Sequence, residues 1–290
     1  MRLLALSLMA LCLAAAPASA QSLPRSIYVD PPDDPHAPAH LEVLHIPSGD
    51  VKINGIAYVA AGPGPHPTAL LLHGMPGNER NLDLAQAMRR AGWTVVAINY
   101  RGVWGSPGPF HFAQTLEDTD AALAYLRVPD NAAKLGIDTR RIVVVGHSMG
   151  GWIAAHILAH DHALLGAAMI SPGDLALLAQ QGREAALAFI EDDRESIAEP
   201  DSATLADELM AHAGDWTMAP LAPQLADQRM LVLYSNDFVK DHAVKFIDAL
   251  KAAKSKKLTV GYTATDHAWS DHRIALQAQV INWLETLPIK

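Results

Sequence analysis

The hydrophobic pattern begins with a hairpin and continues as an alternation of apolar runs and helical segments. Residues 41–46 and 51–60 have the pattern of two strands joined by a turn at Pro47–Asp50, which predicts an antiparallel hairpin. Six further apolar runs lack polar alternation, as is typical of strands buried on both faces: 68–73, 93–99, 141–146, 164–170, 229–234 and 257–262. Segments of helical period accompany them at 79–91, 115–127, 148–160, 241–253 and 272–287. This order predicts an α/β fold, a mostly parallel sheet with helices on both faces.

Residues 171–228 interrupt this alternation. They contain Ala/Leu-rich helical pieces at 175–179, 184–190 and 204–212 and no convincing strand. Such an insertion between two sheet strands predicts a helical cap over one end of the sheet, within a single domain spanning residues 21–290. The alternative is a peripheral helical excursion with no role at the functional site.

The first twenty residues have the features of an export signal. Arg2 supplies a positive charge, residues 3–16 form an apolar run, and Ala18-Ser19-Ala20 offers small residues for cleavage. The run is short for a transmembrane helix, which needs about 20 apolar residues, although a retained anchor is the alternative. We expect residues 1–20 to be a cleaved signal peptide and the protein to be periplasmic or secreted, with no membrane span after cleavage. Cys12, the single cysteine, lies in this segment, so the mature chain would hold no disulfide.

The charge of the chain excludes one class of partner. Asp and Glu number 31 against 22 Lys and Arg, and the basic residues form no stripe, so we expect no nucleic-acid partner. The acidic cluster at Glu191, Asp192 and Asp193 is expected to be a solvated face. No pattern indicates the oligomeric state.

The strongest chemical signal is Gly146-His147-Ser148-Met149-Gly150, which joins a buried apolar run to a helical segment. A serine on a sharp turn between strand and helix projects its hydroxyl beyond the sheet, and the flanking glycines leave room for it. The helix N-terminus behind it favours developing negative charge. This context predicts Ser148 to be a nucleophile. The alternative is a glycine-rich turn whose serine caps the helix.

The loop at His73-Gly74-Met75-Pro76-Gly77 follows another predicted strand. Acyl transfer needs two N–H donors aimed at the oxyanion. We expect the backbone of Met149 to supply one and that of Met75 the other, since Pro76 has no N–H group. An ordinary Gly/Pro turn is the alternative.

A histidine and an acid follow the last two predicted strands. His267 lies at a strand end, where it can face Ser148, whereas His272 begins the final helical pattern. Asp237 follows the strand ending at Tyr234 and is our candidate to hold the histidine, with Asp241 as its rival. The order Ser148, Asp237, His267 is that of α/β-hydrolases.

Metal chemistry is not predicted. The two Asp-His pairs near residue 266 have no third ligand cluster close in sequence, so no metal site is expected. We expect apolar residues to line the substrate site. Trp104 and Phe110 are the candidates from the loop after residue 102, and Leu178, Leu187, Phe189, Ile190 and Trp216 are those from the cap.

These motifs together resemble the α/β-hydrolase family over about residues 50–290. The likeness rests on His73–Gly77, Asn99–Gly102, Gly146–Gly150, Ser235–Asp237 and Asp266–His267. It is closest to a bacterial group akin to prolyl-oligopeptidase-like domains and dienelactone hydrolases. The resemblance implies an eight-stranded sheet, a Ser-Asp-His triad and no cofactor. The chain departs from the family at the acid loop, Ser235–Asp241, which lacks the usual Gly-x-x-Asp-x-x-Val-Pro form.

The expected activity is that of a serine hydrolase acting on a small-molecule carboxylic ester through an acyl-enzyme intermediate. An amidase or peptidase with the same triad is the first alternative. The second is non-hydrolytic lyase or perhydrolase chemistry, or binding alone, on the same fold.

Overall fold

The computed structural model describes residues 23–288, so the signal peptide predicted at residues 1–20 lies outside the described residues. In the described part of the chain, eight strands form a sheet in the order β1-β2-β4-β3-β5-β6-β7-β8. Their bounds are β1 His40–Ser48, β2 Val51–Val59, β3 His66–Leu72, β4 Thr94–Ile98, β5 Ile137–His147, β6 Gly166–Ile170, β7 Met230–Tyr234 and β8 Leu258–Tyr262.

The strand pairing confirms the predicted mostly parallel sheet. β1 and β2 form the expected antiparallel hairpin, and β2 also pairs antiparallel with β4. All pairings from β4 through β3, β5, β6 and β7 to β8 are parallel. The carboxyl ends of these parallel strands therefore meet at the same edge of the sheet, where α/β proteins place their ligand sites.

Helices cover both faces of the sheet. Ten α-helices occur in the described residues: α1 Leu82–Arg90, α2 Phe112–Arg127, α3 Pro129–Lys134, α4 Met149–His160, α5 Leu175–Ala179, α6 Arg183–Asp192, α7 Ser202–Ala211, α8 Ala222–Leu225, α9 Lys240–Ala252 and α10 Arg273–Glu285. Successive residues of a strand point to opposite faces. Val143 and Val145 accordingly belong to the apolar cluster that includes residues of α1 and α10, while Val144 belongs to the one that includes residues of α2, α4 and α9.

The segment between β6 and β7 contains α5, α6, α7 and α8, and hydrogen bonds hold it together and tie it to the rest of the fold. Glu208 of α7 accepts a 2.8 Å hydrogen bond from the backbone N–H of Ala113, in the first turn of α2, where a carboxylate is favoured. Asp174 caps α5 and also accepts a 2.8 Å bond from the backbone N–H of Met218, which joins the start of the segment to a residue near its end. These bonds fasten α7 to α2 and hold the two ends of the segment together. We call it the cap.

Some boundaries differ from those predicted. α1 begins at Leu82, because Asn81 before it adopts a left-handed φ of 55°. β5 begins at Ile137, earlier than expected, through an irregular pairing with β3 near His66. Helix α3 was not predicted; Pro129 opens it, a position that proline favours. Within the described residues, no helix is long and apolar enough to cross a membrane.

Candidate active site

Ser148 stands on a strained turn between β5 and α4. Its backbone has φ 57° and ψ −121°, a region that L-residues rarely adopt. A Cβ atom on Gly146 would lie 1.9 Å from the Gly150 carbonyl oxygen, and one on Gly150 would lie 2.2 Å from that of Leu72. The two glycines therefore allow strand, turn and helix to pack this closely, as the sequence motif predicts.

The backbone of Ser148 is held from both sides. Its N–H donates to the Ile170 carbonyl at 3.0 Å, and its carbonyl accepts from the N–H of Gly173 at 3.1 Å. A Cβ atom on Gly74 would lie 2.7 Å from the Cβ of Ser148. The loop after β3 therefore passes directly beside the serine, and glycine is required where it does so.

His267 is hydrogen bonded to Asp237. Its Nδ1 lies 2.8 Å from Oδ2 of Asp237, whose side chain is 2% exposed. Burial acts to raise the pKa of Asp237, but hydrogen bonds from His267 and Ser235 outweigh it and lower that pKa to about 2. Since the carboxylate is ionised, Nδ1 of the histidine is the donor, which leaves Nε2 for another partner.

The structure brings Asp237 to His267 and places the rival residues elsewhere. Asp241 is exposed in the first turn of α9. Nδ1 of His272 lies 2.8 Å from Asp271, whose side chain is largely in solvent, while that of His272 is partly exposed. Ser148 and His267 line the same cavity.

A chain of hydrogen bonds, which we call the relay, leads from Trp269 to the carboxylate of Asp237. Nε1–H of the buried Trp269 donates to Ser171 Oγ at 3.1 Å, Ser171 Oγ lies 3.1 Å from Ser235 Oγ, and Ser235 donates to Asp237 at 2.6 Å. Because Ser235 donates its proton to the carboxylate, it accepts from Ser171. All donors therefore point the same way, toward Asp237. No sequence motif indicates this relay, although Ser171 and Ser235 each follow directly after a buried strand.

Two buried histidines shape the loops around Ser148. Nε2 of His147 lies 2.8 Å from the His267 carbonyl, and burial lowers the pKa of His147 to about 3. Burial likewise lowers the pKa of His73 to about 4, and its Nδ1 donates to the Gly74 carbonyl at 2.6 Å. Both rings are therefore neutral, and each fixes a loop beside the serine by donating to a carbonyl.

The loop that carries Met75 is anchored through the carbonyl of Pro76. This carbonyl accepts hydrogen bonds from Nε1 of Trp104, at 2.9 Å, and from Oγ of Ser196 in the cap, at 2.6 Å. Met75 and Met149 line a cavity together with Ser148. The backbone N–H of Met149 lies in the first turn of α4, where amides have no intrahelical acceptor.

Two cavities meet at Ser148. The first, which we call the apolar cavity, has a volume of about 290 Å³ and is lined by Met75, Ser148, Met149, Gly173, Asp174, Leu175, Leu178, Gln181, Ala185, Phe189, Phe238, Val239 and His242. The second, which we call the histidine cavity, has about 200 Å³ and is lined by Gly74, Met75, Pro76, Gly77, Asn78, Glu79, His147, Ser148, Asp193, Phe238, His267 and Ala268.

The cavity linings correct several expectations. Phe110 and Trp216 do not line the site: they are 1% and 7% exposed, and each packs edge-on against Phe112 in the core. Trp104 lines neither cavity and instead supports the loop at Pro76.

The cap contributes a different set of residues from the one expected. Leu178 and Phe189 line the apolar cavity, whereas Ile190 lies in the core and the partly buried Leu187 packs against it. Asp193, expected on a solvated face, is half-buried and lines the histidine cavity. Phe238, which sequence analysis missed, lines both cavities; its place directly after Asp237 was the available signal.

Comparison with known proteins agrees with this architecture. Residues 69–279 match the model of the alpha/beta hydrolase family. Epoxide hydrolase 3 of Xenopus tropicalis is 36% identical over 106 residues, which are 36% of this chain and 27% of that protein. The match therefore spans about a quarter of that relative's length.

Solved structures share the fold at low identity. An esterase of Pyrobaculum calidifontis superposes with a TM-score of 0.62 at 19% identity, over 87% of each chain. An acylaminoacyl peptidase of Pyrococcus horikoshii gives 0.63 at 16% identity, over 85% of this chain and 41% of that one. Because the family model covers most of the chain, including the turn at Ser148, the protein belongs to the alpha/beta hydrolase family.

Proposed function

We propose that the protein is a serine hydrolase that cleaves carboxylic esters through an acyl-enzyme intermediate. One observation carries the proposal. Ser148, on a strained turn before α4, lines the same cavity as His267, whose Nδ1 is bound to the buried carboxylate of Asp237. A nucleophile, a base and a group that orients the base form the constellation needed for acyl transfer.

The reaction follows from these positions. Oγ of Ser148 attacks the carbonyl carbon of the ester while Nε2 of His267 takes the hydroxyl proton. The N–H groups of Met75 and Met149 stabilise the oxyanion. The imidazolium, held by the Asp237 carboxylate, returns the proton to the leaving alcohol as the bond to it breaks. Water, deprotonated by His267, then attacks the acyl-serine, releasing the acid and restoring Ser148.

The apolar cavity supports an ester of a small or medium acid. Its volume of about 290 Å³ and its side chains Leu175, Leu178 and Phe189 suit a short aliphatic or aromatic acyl group. An amide would follow the same steps with a poorer leaving group. Matched esters and amides of one acid therefore decide between esterase and amidase.

Covalent labelling tests the proposed nucleophile. A fluorophosphonate should modify Ser148, and Ser148→Ala should abolish both labelling and turnover of p-nitrophenyl esters while thermal unfolding stays close to wild type. Ser270→Ala, an exposed serine near His267, is the matched control and should label normally. Labelling at another residue, or a folded Ser148→Ala protein with full activity, would contradict the assignment.

A further inference from the structure

The two cavities differ in their access to the proton donor of the proposed reaction. Ser148 lines both, but His267 lines only the histidine cavity of the two. The leaving atom must receive its proton from His267. If the proposed function holds, the leaving group therefore lies in the histidine cavity and the acyl group in the apolar cavity.

The histidine cavity carries negative charge. Of its lining residues, Glu79 and Asp193 are acidic, no Lys or Arg occurs, and His147 is neutral. Glu79 is partly compensated by the guanidinium of Arg273, 3.6 Å away. The carboxylate of Asp193 has no hydrogen bond or ion pair with any described residue.

The neighbouring cation does not neutralise Asp193. The guanidinium of Arg194 is occupied by Ser202 Oγ at 2.6 Å and by the carbonyl of Pro200 at 3.1 Å, both within the cap. Burial, together with Glu195 and Asp192, raises the pKa of Asp193 and outweighs the opposite effect of His267 in its protonated form. The surroundings thus disfavour its negative charge, and a cation in the cavity would favour it.

An aromatic ring completes this environment. Phe238 lines the histidine cavity, and its ring centroid lies 4.6 Å from that of His267. The face of an aromatic ring attracts a cation that has lost part of its hydration. A carboxylate and an aromatic ring together suit a substituted ammonium group better than a neutral alcohol.

We propose that the histidine cavity binds a positively charged leaving group, with Asp193 as the residue that selects it. The proposal rests on the proposed esterase function and narrows its substrates to esters of amino alcohols. The formal net charge of −9 favours the approach of such cations.

A pair of isosteric esters tests the proposal. Butyrylcholine and its neutral isostere, in which carbon replaces the ammonium nitrogen, share acyl group and shape. Wild type should prefer the cationic ester about tenfold in kcat/KM, and Asp193→Asn should remove most of that preference. The change should appear in KM, because the cation is present in both ground and transition states. Added salt should weaken the preference.

Controls separate charge from folding and orientation. Asp192→Asn makes the same charge change at the adjacent exposed residue, and the ratio for the two esters should stay within about twofold of wild type. Using the ratio cancels any general loss of folded protein. The ethyl ester of betaine and its neutral isostere place the charge on the acyl side, where Asp193→Asn should have little effect.

The outcomes are distinct. An unchanged ratio in Asp193→Asn, an equal change in Asp192→Asn, or a preference confined to the betaine pair overturns the inference while neutral esters are still hydrolysed. Failure of the proposed function would look different. Neither ester would then be turned over by wild type, and fluorophosphonate would not label Ser148.

Discussion

Asp237 and Asp241 lie close together in the chain, yet their surroundings separate them. Asp237 is buried, bonded to His267 and Ser235, and its pKa is lowered to about 2. Asp241 is exposed at the start of α9, a position where the helix dipole favours a carboxylate. Both follow the same predicted strand, so sequence spacing alone could not choose between them. Which aspartate reaches His267 depends on which of the two side chains the loop after β7 directs toward it.

Exchanging each acid for its amide separates the two roles. Asp237→Asn should lower kcat by about 10³–10⁴-fold, because an amide no longer stabilises the imidazolium or holds the donor at Nδ1. Asp241→Asn should remain near wild type. The measurements are steady-state hydrolysis of p-nitrophenyl esters and the rate of fluorophosphonate labelling. A large effect at Asp241 with a small one at Asp237 would reverse the assignment.

At the scale of secondary-structure elements, the periodicity of the apolar residues predicts the strands of the sheet but does not predict which residues line the site. The hairpin follows from two strand-like segments joined by a turn at Pro47–Asp50, and the parallel sheet follows from uninterrupted apolar runs such as that ending at Gly146. Phe110 and Trp216 show the limit, since a large apolar side chain fits a cavity wall and a core equally well by composition. Asp193 shows the same limit, because the packing of the cap determines whether an acidic side chain faces bulk solvent or lines a cavity.

The relay behind Asp237 joins the loops that follow β6, β7 and β8. Trp269, Ser171 and Ser235 are fully buried, and their hydrogen bonds orient the carboxylate that is bonded to His267 and that, in the proposed reaction, stabilises the imidazolium. We therefore regard Trp269 and Ser171 as positioning residues. Sequence patterns could not predict this relay, because it depends on the register of three strands.

Removing one donor of the relay tests this role. Trp269→Phe and Ser171→Ala should each lower kcat about tenfold with little change in KM. Neither residue contacts the substrate, but each variant weakens the stabilisation of the imidazolium by Asp237. Trp283→Phe, a similar loss of volume in the same apolar cluster, should reduce thermal stability and leave kcat near wild type. If all three variants lose stability alike and keep kcat, the relay is merely structural.

On the scale of the whole molecule, the fold encloses histidines whose protonated form is disfavoured by burial. His73 and His147 follow or end the central strands β3 and β5, and burial lowers their pKa values to about 4 and about 3. The unfolded value is about 6.5. Burial also lowers the pKa of His66, His156 and His242. As the pH falls below 6.5, the unfolded chain takes up protons that these folded sites do not, so the free energy of unfolding must fall.

This linkage predicts that, as the pH is lowered, stability is already lost at pH values well above those at which carboxylates titrate. Between pH 6.5 and about 4, each strongly shifted histidine should cost about 1.4 kcal/mol of unfolding free energy per pH unit. Urea unfolding at a series of pH values from 7 to 5 measures the slope. In His147→Gln the side-chain amide can still donate to the His267 carbonyl but takes up no proton, so its slope should be shallower by about one bound proton. An identical slope in this variant would mean that His147 is protonated in the folded protein, and that the 2.8 Å contact with His267 belongs to an imidazolium.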